Sequence, residues 1–395
     1  MYERKIRGSW IDEFMKLGAD SESPMLYYKW VGISTIASAL RHRVYIDRES
    51  YKDYPNMYVI LVAPPGGTRK STVCDFAYDN IIQSVPSIKC FSGRITTEAL
   101  MKRLTTVDVS NNNTTILSSD PSLLLYASEL SSLFKKLPKG SYPIIDFLTS
   151  IYGSGNFSYD TKNGGEVRLM DTSINLLAAT TPSGVNELIG VSNIEGGFAS
   201  RVILVYQDTR IRKGWPDKDP NFKTKLNSLI SDLNHISSIT GEMVVPTVCK
   251  RHWNTWYFKE EFNNPPPELV NYNNRKHDHL LKVAMVYALS ERDNLVLTVK
   301  DLDRANDTLS EVEKFMPSAF NGLNKTKESG IREDIVNFIK HKGGSVTRTE
   351  LTNRFERRIK GEELTKIMVP LIDSEIISIC RSTNGRAQKY ILNGK

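Results

Sequence analysis

The sequence predicts an α/β protein: a parallel β-sheet covered by helices on both faces, preceded by a helical segment and followed by a small helix-and-hairpin unit. Three observations carry this. Between Tyr54 and Tyr206, short apolar runs alternate with helical stretches: MYVILV (57–62), SIKCF (87–91), SLLLYA (122–127), SINLLAA (173–179) and RVILVY (201–206). Strands without polar alternation are buried on both faces, as parallel sheets require. Residues 10–44 have helical spacing instead, with Trp10, Phe14 and Leu17 on one face and an apolar, alanine-rich stretch from Tyr27 to Leu40. The third observation is the change of pattern after residue 325, described below.

Composition narrows the class. The chain has 395 residues, enough for two or three domains with a substantial core. Its 40% hydrophobic and 25% charged residues are ordinary for a soluble globular protein, and no apolar run approaches the roughly 18 residues of a membrane span. The start, MYERKIRGSW, carries charge where a signal peptide needs an apolar core, so a cytoplasmic protein without membrane partners is expected. Cys74, Cys90, Cys249 and Cys380 lie far apart, without zinc or disulfide spacing. Likewise His252, His277 and His279 show no metal-ligand spacing. A net charge of +7 favours a polyanionic partner without requiring one.

The elements follow in order. Residues 1–50 form an N-terminal helical segment, and residues 51–250 hold the sheet. Within the latter, DVSNNNTTILSSDP (108–121) reads as a polar surface loop. After Asp208 the chain is polar and proline-containing, with PPP at 265–267. Residues 251–325 are mainly helical, with LLKVAMVYAL (280–289) as the apolar stretch, and FNGLNKTKESG (320–330) reads as a linker. Residues 326–395 then give an amphipathic helix ended by glycine (REDIVNFIKHKGG), a helix with a threonine N-cap (TRTELTNRF), a third helix interrupted at Pro370, and a hairpin turning at Asn384-Gly385. Three helices and a hairpin are the layout of a winged helix-turn-helix.

MYVILVAPPGGTRKST (57–72) is the strongest local signal: a buried strand, a Gly/Pro-rich turn, then Lys-Ser-Thr opening a helix. A phosphate-binding loop (P-loop) needs this order, because glycines let backbone N–H groups converge on phosphate oxygens and the helix N-terminus adds its dipole. Pro65, Gly66, Gly67, Thr68, Arg69, Lys70, Ser71 and Thr72 would line it, with Lys70 on the β/γ-phosphates and the Ser71 hydroxyl on Mg2+. The strict pattern has glycine at 64 and 69, where this chain has Pro64 and Arg69. The alternative is a flexible loop before a helix with a chance Lys-Ser.

Three further strand ends carry polar groups. LLLYASELSSLF (123–134) ends in the acid Glu129, placed either to cap the next turn or to orient water for attack on a γ-phosphate; Ser128 stands where a magnesium-binding aspartate often precedes it. NLLAATTPSGV (175–185) ends in Thr180-Thr181, which either begin a turn or touch the γ-phosphate or its attacking water; Thr181 is assigned that sensor role. In EGGFASRVILVY (195–206), Arg201 precedes a buried strand, either ion-paired locally or reaching a neighbouring subunit's nucleotide as an arginine finger.

The succession of P-loop, SEL acid, AATTP and GFxSR resembles the AAA+ ATPases of the replicative type. It is most similar to primase-helicases and self-loading helicases of phages, plasmids and staphylococcal cassette elements, and more distantly to minichromosome-maintenance helicases. The likeness spans roughly residues 25–310. It implies an AAA+ P-loop core, a helical lid over 251–325, ATP and Mg2+ as ligands, and catalytic roles for Lys70, Glu129, Thr181 and Arg201 in a homo-oligomeric, hexameric ring acting on single-stranded or forked DNA. It also gives meaning to NFSYDTKNGGEVRLMD (156–171), where related motors insert a hairpin into the ring channel; Lys162, Asn163 and Arg168 would face DNA there, unless this is a plain surface hairpin. NNRKHDHLLKVAMVYAL (273–289) resembles the helix carrying a second sensor, with Arg275, His279 and Lys282 as candidates. Two functions follow: a DNA helicase or translocase, or an ATP-regulated initiator or helicase loader with little unwinding activity.

Overall fold

The computed structural model describes residues 3–104, 107–110, 113–116, 120–133, 143–153, 157–161, 165–187, 197–209, 211–215, 217–259, 265–320, 327–355, 359, 361–374, 376–381 and 388–393. The chain divides into two compact units, Met1–Phe320 and Asn321–Lys395.

The first unit opens with α1 (Trp10–Leu17), whose N-terminus is capped by the Ser9 hydroxyl on Asp12 N, and α2 (Met25–Leu40). The helical stretch expected over 10–44 is divided after α1, where Gly18 lies so close to the Tyr28 ring that a Cβ would collide with it. Helix α2 is apolar around most of its circumference and is accordingly buried. Two of its buried hydroxyls are satisfied within the helix, Thr35 on Val31 O at 2.7 Å and Ser38 on Ser34 O at 2.8 Å.

The chain continues through β1 (Val44–Asp47), β2 (Lys52–Asp53), β3 (Tyr58–Val62), α3 (Lys70–Asn80), β4 (Cys90–Ser92), α4 (Thr97–Leu104), β5 (Val107–Ser110), β6 (Asn113–Ile116), β7 (Ser122–Ala127) and α5 (Ile144–Ile151). Then follow β8 (Phe157–Thr161), β9 (Gly165–Leu169), β10 (Ser173–Thr180), β11 (Val202–Tyr206), α6 (Phe222–Ile236), β12 (Gly241–Glu242), α7 (Thr247–Tyr257), α8 (Lys276–Glu291) and α9 (Val299–Glu313).

The five apolar runs of the sequence form one all-parallel sheet in the order β11-β3-β10-β7-β4. Every residue of β3, β7, β10 and β11 is buried, as continuous apolar strands demand. The second run pairs only from Cys90 to Ser92, as a short edge strand. Because the strands are parallel, the chain leaves β3, β7 and β10 at one shared edge, and Tyr206 and Thr180 both stand opposite Val62.

One segment departs from expectation. The stretch 108–121 is not all loop: β5 and β6 form a hairpin, and β5 pairs with β9 in a four-stranded antiparallel sheet of order β6-β5-β9-β8. Val107, Val109, Thr114, Thr115 and Ile116 supply β-branched strand residues that the surrounding Asn and Ser content obscures.

In the second unit, α10 (Lys327–His341) leads through β13 (Ser345–Thr347) to α11 (Arg348–Phe355), α12 (Gly361–Asp373), β14 (Ile377–Arg381) and β15 (Gln388–Leu392). The strands form an antiparallel sheet of order β13-β15-β14. Ile331, Ile335 and Ile339 recur every four residues on α10 and pack with Leu351, Ile367 and Tyr390 into a core of its own. Helix α10 ends where Gly343 and Gly344 take φ of 81° and 89°. Thr347 caps α11 reciprocally: its backbone N–H donates to Glu350 Oε2 at 2.8 Å, and Glu350 N donates to the Thr347 hydroxyl at 3.3 Å. The expected interruption at Pro370 does not occur, since α12 continues to Asp373. The Asn384-Gly385 turn lies outside the described residues. Among those described, no helix is long and apolar enough to cross a membrane.

Candidate active site

The turn between β3 and α3 holds the residues that the sequence assigns to a phosphate-binding loop. Gly66 takes φ 70°, and a Cβ added there would meet nothing within 4 Å, so the loop is open on that side. Arg69 lies at φ 49°, ψ 38°, the left-handed conformation for which the strict pattern uses glycine. That costs a non-glycine residue about 1–2 kcal/mol. Local contacts hold it in place: Arg69 Nη2 meets Glu22 at 2.8 Å, and the Ser23 hydroxyl donates to Arg69 O at 3.2 Å. Below the loop, the buried Tyr27 hydroxyl lies 2.9 Å from Val62 O, 3.2 Å from Gln207 O and 3.3 Å from the buried Thr68 hydroxyl. Lys70 and Ser71 are the first two residues of α3 and half-buried, at the end where free N–H groups and the helix dipole favour an anion. Pro65 and Thr72 are exposed and Gly67 half-buried.

The acid stands on the same edge. Register pairs Ala127 of β7 with Ala178 of β10, so two residues further on Glu129 comes opposite Thr180. Glu129 makes no side-chain cap to the turn that it opens. Its exposed carboxylate instead accepts from Thr180 Oγ1 at 3.1 Å, and Thr180 itself is fully buried. The sensor role assigned to Thr181 has a different geometry: the Thr181 hydroxyl is 2.9 Å from that of Ser183 and accepts from Gly184 N at 3.1 Å, at the start of helical residues 182–187. Only the tertiary pairing distinguishes the two threonines. Ser128, where an aspartate often stands, is exposed. Strand β7 is also tied to the loop's helix: Tyr126 donates to Asp75 and stacks on Tyr78, ring centroids 4.2 Å apart.

Arg201 lies elsewhere. It ends the short turn before β11, and Val202 pairs with Tyr58 at the start of β3, whereas the loop follows Val62 at its end. A five-residue strand, about 16 Å, separates them. Arg201 Nη1 donates to Gly197 O at 2.5 Å and its guanidinium lies 6.0 Å from the Tyr152 ring; burial and the nearby Arg275 lower its pKa.

The second-sensor candidates share that far edge. His279 Nε2 lies 3.0 Å from Ser200 O, its ring stacks on Tyr272 at 5.3 Å, and burial depresses its pKa to about 4. Lys282 is buried, which lowers its pKa to about 8, and it donates to Tyr54 O (2.6 Å), Asn56 O (3.0 Å) and Asn56 Oδ1 (2.8 Å). All three ammonium hydrogens are therefore used within the fold. Arg275 keeps one ion pair, to Asp278 at 3.3 Å, and lines a cavity of about 520 Å³ with Tyr54, Asn56, Tyr152, Asp278 and Lys282.

Of the expected DNA contacts, Lys162 and Asn163 lie outside the described residues. Arg168 is exposed on β9 and pairs in register with Val107 and Ser158. Phe157 anchors the β8–β9 hairpin edge-on against Phe147, centroids 5.2 Å apart. On the second unit, Arg354 and Lys389 are exposed, and Arg348 donates to the Thr365 hydroxyl at 2.9 Å.

Searched against known proteins, the chain matches no protein-family model and no curated sequence.

Proposed function

We propose that the chain is an ATPase that hydrolyses ATP between subunits of a ring and acts on DNA as a helicase or translocase. The single observation that carries the proposal is the shared sheet edge: the loop with its left-handed Gly66 and Arg69, Lys70 at the helix start, and Glu129 held by Thr180.

In this reading Lys70 and the loop N–H groups bind the triphosphate, and Ser71 would hold Mg2+. Bound magnesium would supply positive charge that offsets the charge of the triphosphate. Glu129 orients the attacking water and accepts its proton, with its carboxylate fixed by the Thr180 hydroxyl. Arg201, a strand's length from its own loop, meets the nucleotide of the next subunit, and Arg275 stands beside it. Helices α8 and α9 form the lid, and the second unit is a winged helix-turn-helix, as its order of three helices and three strands suggests. The joined hairpins β5–β6 and β8–β9 make a two-hairpin platform for DNA, with cations contributed by Arg168 and by Lys162.

Ser128 favours a second reading, because the position before the acid offers no carboxylate for magnesium. A slow, ATP-switched initiator or loader would tolerate that loss. DNA-stimulated ATPase and strand displacement on one forked substrate decide between them: rapid stimulated hydrolysis with unwinding supports the motor, and DNA binding without unwinding supports the initiator.

A further inference from the structure

Trp215 is 98% exposed, the reverse of the usual fate of tryptophan. It lies on the stretch that joins β11 to α6, and that stretch is tied at three points to the elements that flank the candidate phosphate loop. It begins at Gln207, whose N–H donates to Val62 O at 3.1 Å. In the middle, Lys213 donates to Ala19 O. At its end, the Phe222 ring lies 6.2 Å from Phe76 of α3. Ala19 belongs to the turn whose Glu22 and Ser23 grip Arg69. Trp215 stands two residues beyond Lys213, within about 7 Å along the chain.

A nucleotide with its phosphates on this loop must place its base to one side, and the base is flat and faintly polar. An indole with a free face is the side chain best suited to cover it. Arg212, Lys213 and Lys218 around it are exposed, so the stretch presents cations with the ring. We propose that Trp215 is the stacking platform for the purine base of the nucleotide and forms the base side of the site. This rests on the reading of residues 63–72 as a phosphate-binding loop. The observations favour the nucleotide over a base of single-stranded DNA, because the three tethers reach the strand before the loop, the turn that grips Arg69 and the helix after the loop.

The test separates base from phosphate. Binding of ATP and of inorganic tripolyphosphate, each with magnesium, is measured by calorimetry on the full chain and on Trp215→Ala and Trp215→Phe. The expected result is that wild type prefers ATP about tenfold or more, within the range that base–aromatic stacking supplies. Trp215→Ala should lower ATP affinity to the tripolyphosphate level without changing tripolyphosphate binding, and Trp215→Phe should retain most of the preference. Trp215→Ala binding ATP as wild type does would overturn the proposal and leave the loop reading standing. Loss of oligo-dT binding with unchanged ATP affinity would overturn it in favour of a DNA contact. If wild type binds neither polyphosphate, the loop reading itself fails.

Discussion

The hydroxyl of Thr180 donates to the carboxylate of Glu129 across 3.1 Å, joining the ends of two parallel strands at the edge where the candidate phosphate loop begins. Glu129→Gln should bind ATP normally and lose turnover by about a hundredfold or more, the scale of general-base catalysis. Thr180→Val should lower kcat by about tenfold, as expected for removing a hydrogen bond to a charged group. Gly184→Ala should resemble it, because a Cβ there collides with Thr180 Oγ1. Steady-state kinetics check all three; wild-type kcat in Thr180→Val would remove Thr180 from the machinery.

Arg201 and the loop occupy opposite ends of β3 and β11, so on the proposed function a complete active site draws on two subunits. Lys70→Ala and Arg201→Ala should each be inactive, yet mixing the two proteins should restore part of the activity at hybrid interfaces. Specific activity should rise with protein concentration. A rate independent of concentration would mean that one chain carries a complete site.

Arg69 offers a test of the loop's backbone. Arg69→Gly should keep ATP binding within about threefold, since relief of about 1–2 kcal/mol of left-handed strain offsets the lost pair with Glu22. Arg69→Val should destabilise the loop and weaken binding, because a β-branched residue resists positive φ. Thermal melts with and without nucleotide compare them. Equal behaviour of the glycine and valine variants would show that the conformation is not required.

Acid should unfold the first unit partly through His279. Its pKa in the fold, about 4, lies below the ordinary 6.5 because burial disfavours the charged ring. The unfolded chain takes up the proton first, so this group's stabilisation is complete above pH 6.5 and is lost as pH falls towards 4. The full loss is about 3 kcal/mol. The buried His42 shifts in the same direction. Urea unfolding of His279→Gln should show a shallower decline between pH 6.5 and 4.5 than wild type. Parallel curves would assign the acid sensitivity to other groups.

Two regions should engage DNA separably. Lys162→Ala should uncouple hydrolysis from strand displacement and reduce the salt dependence of binding by about one unit. Deleting residues 326–395 should weaken loading or site choice but leave basal ATPase largely intact, because that unit has its own core. Unwinding by Lys162→Ala at the wild-type rate would remove the hairpin from the motor and favour the initiator.

Much of this protein was legible in the sequence, because continuous apolar runs have one stable use in a chain of this composition. Five such runs specified five parallel strands, four of them wholly buried, and helix punctuation at Thr347 and Gly343-Gly344 specified the second unit's α10 and α11. The loop with Lys70 and Ser71 followed from local order alone, since strand, glycine turn and helix start are contiguous. What tertiary structure decided depends on neighbours remote in sequence. Strand order put Glu129 beside Thr180 rather than Thr181, through a register that no local pattern encodes. The polar stretch 107–116 became strands because β9 offered a partner, and hydrogen bonds to a partner do not require apolar composition. Arg201, Arg275, His279 and Lys282 came together because α8 packs along the sheet edge opposite the loop, where burial, not residue type, left Arg275 with its cavity and committed Lys282 to carbonyl and amide oxygens of Tyr54 and Asn56.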